Sequence, residues 1–150
     1  MRAFVFLALL SLLAFSAQAN NCAEADKALQ NYLHALCTHQ LPAVRKLLDP
    51  SAVFKVEWLD STPSKFFTLS REDYLQQLKA TWHFSREDKL AITSVKWQSA
   101  GSACEAGFTL TEKRQLLGTE AGQESQLLLH LENGSEGWRI TGVKNRIRMW

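Results

Sequence analysis

The spacing of hydrophobic residues changes near the middle of this chain, and that change constrains the fold more than any other feature. From residue 90 to the carboxyl end, apolar and polar residues alternate, as they do in strands with one buried face. Four strands fit, at about residues 90–98, 103–116, 124–132 and 137–148. The breaks between them are rich in Gly, Ser and Asn, which favour turns. The sequence therefore predicts a four-stranded antiparallel meander here.

The first half shows helical spacing instead. Residues 23–39 place apolar side chains every three or four positions: Ala25, Leu29, Leu33 and Leu36. This pattern predicts an amphipathic helix. Pro42 suits the first turn of a short second helix that ends at residue 48, before Asp49-Pro50.

One strand and a third helix complete the first half. Residues 52–58 alternate as a half-buried strand, and residues 65–69 are the candidate partner. Ser70, with the carboxylate of Asp73 three residues later, predicts a capped third helix. The same four residue types recur at 85–88, which we interpret as a second local turn or cap. Helices followed by strands predict an α+β fold, with three N-terminal helices on one face of a curved antiparallel sheet.

The amino terminus has the pattern of a secretory signal peptide. Met1-Arg2 precedes an apolar run of about 13 residues and a small-x-small site ending at Ala19. We predict cleavage after Ala19, because the run is shorter than the roughly 20 residues that span a bilayer as a helix. The mature protein is then a single domain, residues 20–150, without a membrane span, in the periplasm or secreted.

Export would place three cysteines in an oxidising compartment, where one disulfide is expected. Cys22 and Cys37 lie at the two ends of the first predicted helix, about 22 Å apart at 1.5 Å per residue, which excludes their pairing. Cys104 must then be one partner. We predict Cys22 with Cys104 and interpret Cys37 as a buried small apolar residue, while Cys37 with Cys104 remains the alternative.

Charge and motifs exclude several classes of function. Of the 17 basic residues only Arg2 lies in the leader, so the mature chain carries 16 against 15 acidic residues and needs no nucleic acid or other polyanion as a partner. The four histidines have no companions at metal-ligand spacing. No nucleophile elbow, phosphate loop or zinc pattern occurs. We therefore predict neither a metal nor a cofactor, and recognise no catalytic set.

Four short stretches resemble a known family: residues 32–36 (YLHAL), 41–48, 49–54 (DPSAVF) and 137–140 (GWRI). With the order of elements, they resemble the nuclear transport factor 2-like (SnoaL/ketosteroid isomerase-like) cone-fold superfamily. The resemblance covers essentially the whole predicted mature chain. It implies a strongly curved, cystatin-like cone with a cavity between the first helix and the inner sheet face. Members include isomerases, dehydratases, cyclases and non-catalytic binders, so the fold does not choose a function.

The resemblance also implies positions for chemistry. Tyr32 stands where ketosteroid isomerases place the tyrosine that donates a hydrogen bond to the developing oxyanion, although a core tyrosine fits as well. The position of their carboxylate base is occupied here by Val56, and the neighbouring Glu57 would face the other side of the strand. Proton abstraction of that kind is therefore disfavoured.

Candidate pocket residues follow from these faces and from the strand ends: Tyr32, Phe54, Val56, Trp58, Trp97, Phe108, Glu112 and Arg114. Glu112 and Arg114 mark either the pocket mouth or a strand continuing into solvent. We predict an exported protein that binds a small apolar molecule or a protein partner. The alternatives are an isomerase, dehydratase or cyclase using Tyr32 and Glu112, and a non-catalytic immunity or envelope-assembly protein. Leu128 favours a homodimer through the outer sheet face.

Overall fold

The computed structural model describes residues 22–150. The predicted signal peptide, residues 1–19, and its cleavage site lie outside the described residues. Residues 22–37 are helical and are called α1. The other elements are α2 (Leu41–Leu47), β1 (Leu48–Trp58), β2 (Lys65–Ser70), α3 (Arg71–Phe84), β3 (Ser85–Ile92), β4 (Lys96–Ala100), β5 (Ala103–Leu116), β6 (Thr119–Gly134) and β7 (Gly137–Met149). The fold is α+β, with three helices and a curved seven-stranded sheet in the described part of the chain, as the sequence predicted.

The sheet has the strand order β2-β1-β7-β6-β5-β3, and β4 pairs with β5 beside β3. Strands β5, β6 and β7 form the predicted antiparallel meander. Strand β1 adds to it in parallel, with Phe54 opposite Val143 and Val56 opposite Asn145. This parallel pair brings the first half of the chain onto the same inner face as the meander.

The start of the second half differs from the prediction in two ways. The expected strand at 90–98 is two strands, β3 and β4, which both pair with β5. The expected turn or cap at residues 85–88 is instead the beginning of β3. An irregularity between Arg86 and Lys89, with Glu87 at a φ of 55°, explains why these residues resemble a turn locally. It is a bulge, which interrupts the pairing without ending the strand.

Helix α1 buries the predicted apolar stripe. Ala25 and Leu29 have no exposed surface, and Leu33 and Leu36 are also buried. Helix α3 begins with the predicted cap, because the Ser70 hydroxyl accepts from the Asp73 amide and the Asp73 carboxylate accepts from the Ser70 amide. No helix in residues 22–150 combines the length and apolar character needed to cross a bilayer.

The predicted disulfide between Cys22 and Cys104 is present, with the two Cα atoms 5.8 Å apart. It fastens the described start of α1 to β5 across 82 residues of sequence. The interpretation of Cys37 as a buried residue is wrong, because its side chain is exposed. Successive helical residues point about 100° apart, so the position after the inward-facing Leu36 turns away from the core.

Candidate functional site

A cavity of about 250 Å³ lies where the resemblance places one, between α1 and the inner face of the sheet. Helix α3 contributes a further wall. Tyr32, Leu33 and Leu36 enter the cavity from the second half of α1. The same helical stripe thus packs against the core near the disulfide and lines the cavity one to two turns later.

The register of the meander arranges the inner face in rows across β5, β6 and β7. The row nearest the disulfide is apolar and at most 1% exposed: Cys104, Leu131 and Ile140. We call these three residues the disulfide end. Polar groups enter further along the strands, where Asn145 is opposite Leu127 and Ser125 is opposite Leu110. The last row pairs Glu112 with Gln123. Glu112, Gln123 and Ser125 all line the cavity and are called the cavity end.

Glu112 is the principal ionisable group of the cavity end. Its Oε1 accepts from Arg114 Nη2 at 2.8 Å, and its Oε2 accepts from Gln123 Nε2 at 3.1 Å. Only 19% of the Glu112 side chain and 15% of the Arg114 side chain are exposed. Burial raises the pKa of Glu112 above its ordinary value, and the Arg114 guanidinium offsets part of this rise. Alternation along β5 puts both side chains on the inner face, so neither extends into open solvent.

Two tyrosines link α1 to α3 above the sheet. The hydroxyl oxygens of Tyr32 and Tyr74 lie 2.7 Å apart, and the Tyr74 ring stacks on Phe54 with centroids 4.1 Å apart. Burial raises the pKa of both phenols, and the nearby Glu112 charge adds to this. Both hydroxyls therefore stay protonated near neutral pH. One donates to the other, which leaves the second proton available to a ligand.

Asp88 also lines the cavity, and the sequence analysis did not find it. Its Oδ2 lies 2.7 Å from His39 Nε2, while its Oδ1 has no hydrogen-bond partner among the described residues. The side chain is 10% exposed. The His39 ring stacks on Trp82, another lining residue, with ring centroids 4.7 Å apart and an angle of 9° between the ring planes. Extending the alternation of β3 back from Leu90 would have found Asp88, but reading 85–88 as a turn concealed it.

The structure brings six of the eight candidate pocket residues together around the cavity: Tyr32, Phe54, Val56, Trp58, Glu112 and Arg114. Phe108 is buried in the hydrophobic core and does not line the cavity. Trp97 lies on β4 beside the first turns of α1, where its Nε1 donates to Asp26 Oδ1 at 3.2 Å. Strand β4 is separate from β3, so its tryptophan packs near the disulfide.

The position that the resemblance predicts for the isomerases' base, Val56, is apolar. Val56 is buried and faces the cavity. Glu57 faces the other side of β1, where its Oε2 accepts from Arg146 Nε at 2.8 Å. Within residues 22–150, no three His, Cys, Asp or Glu side chains are grouped so that they could hold a metal ion.

No protein-family model matches the sequence, and no curated protein is significantly similar to it. Solved structures are similar to it in fold. A conserved protein from Planctomyces limnophilus has a TM-score of 0.74 at 10% identity, covering 89% of this chain and all of its own. A provisional scytalone dehydratase from Novosphingobium aromaticivorans has a TM-score of 0.72 at 10% identity, covering 90% of this chain and 89% of its own. An NTF2-like protein from Cytophaga hutchinsonii has a TM-score of 0.64 at 8% identity, covering 80% of this chain and 92% of its own. The chain therefore has the nuclear transport factor 2-like cone fold that the sequence resembled.

Proposed function

We propose that this chain is an exported binding protein that holds a small molecule in the cavity between α1, α3 and the sheet. The observation that carries the proposal is the cavity itself, with apolar walls and a polar cluster at one end. Binding sites for small molecules are typically concave and mostly apolar, with a few polar groups that fix orientation. A volume of about 250 Å³ lies just below the roughly 300–1,000 Å³ of drug-sized sites, which favours a compact ligand.

Export is part of the proposal. The predicted leader, residues 1–19, supports it, and so does the Cys22–Cys104 disulfide, because disulfides persist in oxidising compartments. The mature protein would be the single domain 20–150. Determination of the amino-terminal residue of protein recovered from a periplasmic extract tests this: we expect Asn20, and an intact Met1 would contradict it.

Native mass spectrometry tests the binding function. Protein purified from its own compartment should carry a small molecule that denaturation releases. Val56→Phe fills the cavity from the inner face of β1, whereas Val53→Phe makes the same change on the outer face, where Val53 is 39% exposed. We expect the small molecule in the wild type and in Val53→Phe. Its retention by Val56→Phe would contradict the proposal.

A second candidate function is an isomerase, dehydratase or cyclase activity. It is favoured by Tyr32 and Glu112 lining one cavity, with the pKa of Glu112 raised by burial. A carboxyl group of raised pKa can exchange protons with a substrate, and a neutral phenol can stabilise a developing oxyanion. A carbon-bound hydrogen of the released small molecule should then exchange for deuterium when the molecule is incubated with the protein in D₂O. Glu112→Gln should abolish this exchange, and Glu105→Gln, on the outer face of the same strand, should not.

A role purely in protein interaction has less support. That alternative predicts a filled or very small cavity and an exposed patch near Arg146 and Trp150. The cavity is open, and Arg146 is engaged by Glu57 and Gln126. Trp150 packs over Gly122 but remains 58% exposed, so the open cavity is what counts against this alternative. Leu128, 37% exposed on the outer face, still supports the proposed homodimer, which sedimentation of Leu128→Lys against the wild type would test.

A further inference from the structure

Aromatic rings line the cavity together with aliphatic side chains. Six of the lining residues are aromatic: Tyr32, Phe54, Trp58, Phe67, Tyr74 and Trp82. They come from α1, α3, β1 and β2, so they surround the space from several directions. The face of an aromatic ring attracts a cation, an attraction that aliphatic side chains lack. Two of the rings are tryptophans, which attract cations best.

The charges that line the cavity have an acidic excess. Glu112 and Asp88 are acidic and Arg114 is the one basic residue in the wall formed by residues 22–150. Arg114 is matched by its contact with Glu112. Asp88 lies 2.7 Å from His39 Nε2, and its charge also acts on Glu112, whose pKa it raises. The three charged side chains of the wall together carry a net charge of −1.

Asp88 also supplies an independent sign of an absent partner. Its side chain is nine-tenths buried, it lines the cavity, and its Oδ1 has no hydrogen-bond partner among the described residues. A buried carboxylate oxygen without a partner is costly, so such atoms are usually satisfied. A ligand that donates hydrogen bonds and carries positive charge would satisfy it.

We propose that the ligand is a small organic cation, a protonated amine attached to a compact apolar group. This inference rests on the proposed binding function. The ammonium group would donate to Glu112 and Asp88, and the apolar group would contact the aromatic rings. An anionic ligand would meet two carboxylates, while the guanidinium of Arg114 is already engaged by Glu112.

The charge of Glu112 gives this binding a predicted pH dependence. The titratable and charged groups around it are Arg114 on β5, Asp88 on β3, Tyr32 and Cys37 on α1, and Tyr74 on α3. Protonated Glu112 cannot neutralise a cation. Cation affinity should therefore rise with pH as Glu112 loses its proton, above the ordinary carboxyl range because burial raises its pKa.

Titration calorimetry of the wild-type protein with three ring-matched probes tests the ligand class. Benzylamine, benzyl alcohol and benzoate share one ring and differ in charge. We expect benzylamine to bind about tenfold more tightly than benzyl alcohol near neutral pH, with its advantage shrinking in acid. Equal binding of the two, or preference for benzoate, would overturn the cationic class and leave the binding function standing. Failure of all three to bind would overturn the binding function as well.

Two matched variants locate the charge. Glu112→Gln should weaken benzylamine binding about tenfold, remove its pH dependence and leave benzyl alcohol binding unchanged. Glu105→Gln, on the outer face of the same strand, should behave as the wild type. Unchanged benzylamine affinity in Glu112→Gln would overturn the proposal. If that variant does not fold, the probe ranking and pH profile of the wild type decide the question.

Discussion

At the disulfide end of the sheet, inner-face side chains fill the space beneath α1, whereas at the cavity end the same alternating strands surround about 250 Å³ of free space. Both ends use β5, β6 and β7. The pairing of β5 with β6 keeps one register throughout, whereas that of β6 with β7 shifts by one residue between His130 and Leu131. The residues at the inward positions differ, from Leu131 and Ile140 at one end to Ser125 and Gln123 at the other. Buried polar side chains need hydrogen-bond partners, so they cannot fill the space as the apolar side chains do. The same strands therefore form the core at one end and the candidate site at the other.

Helix α1 repeats this division along its length. Its first turns are fastened by the disulfide and by the bond between Trp97 and Asp26. Its later turns line the cavity, where Tyr32 is hydrogen-bonded to Tyr74 of α3. The division implies that stability resides at the disulfide end and ligand chemistry at the cavity end, which mutations can test.

The largest expected effect is a loss of stability when a leucine on the inner face of β6 is truncated to alanine, and it should differ between two such leucines. Leu131 is fully buried at the disulfide end, whereas Leu127 lines the cavity. Leu131→Ala should lower the free energy of unfolding by about 3–4 kcal/mol, since it leaves a void in the core. Leu127→Ala should cost about half as much, because its side chain already borders free space. Urea denaturation measures both, and equal losses would show that the two ends are packed alike.

Loss of the disulfide should have the next largest effect. Cys22→Ala leaves Cys104 as a small buried thiol and should lower the free energy of unfolding by about 2–4 kcal/mol, because the bridge closes a long loop. Cys37→Ala is the matched control and should change it by less than about 0.5 kcal/mol, since Cys37 is exposed. A comparable loss in Cys37→Ala would contradict the assignment of stability to the disulfide end.

The pH dependence of stability should identify the cavity end. The pKa of Glu112 is raised in the folded protein, so its folded-state preference for the proton stabilises the protein below the ordinary carboxyl pKa of 4.5. This contribution is lost as pH rises through the raised pKa, by about 1.4 kcal/mol for every tenfold difference in proton affinity between the folded and unfolded protein. Urea unfolding of the wild type and Glu112→Gln across this range should show a loss in the wild type alone. Parallel profiles of stability against pH for the two proteins would mean that the Glu112 carboxyl group is solvated in the folded protein.

Local periodicity predicts much of the disulfide end. The stripe of α1 and the alternation in β5 to β7 specify which side chains face inward, because those faces must be apolar where they are buried. The parallel pairing of β1 with β7 was not predicted, since a period gives the face of a strand and not its neighbour. Burial depth is equally hidden, so Phe108 and Trp97 were assigned to the pocket although neither lines it.

The cavity end is harder to predict, because the period of a strand does not show how deeply a side chain is buried. Glu112 and Arg114 were placed on the inner face by alternation, but the sequence left open whether they meet a cavity or solvent. Asp88 was missed because residues 85–88 repeat the residue types of the cap at 70–73, although they form the beginning of β3. Polar side chains at a site break the hydrophobic pattern, so the pattern is least informative where the chemistry lies.

The smallest expected effect concerns the bond between the two tyrosines. Tyr74→Phe removes one hydroxyl and leaves that of Tyr32 beside the cavity. An ordinary internal hydrogen bond contributes about 1 kcal/mol, and water entering the cavity can replace much of it. We therefore expect urea denaturation to show a loss of no more than about 1 kcal/mol. A loss as large as that of Leu131→Ala would mean that the cavity end is dry and tightly packed, and the contrast between the two ends would then fail.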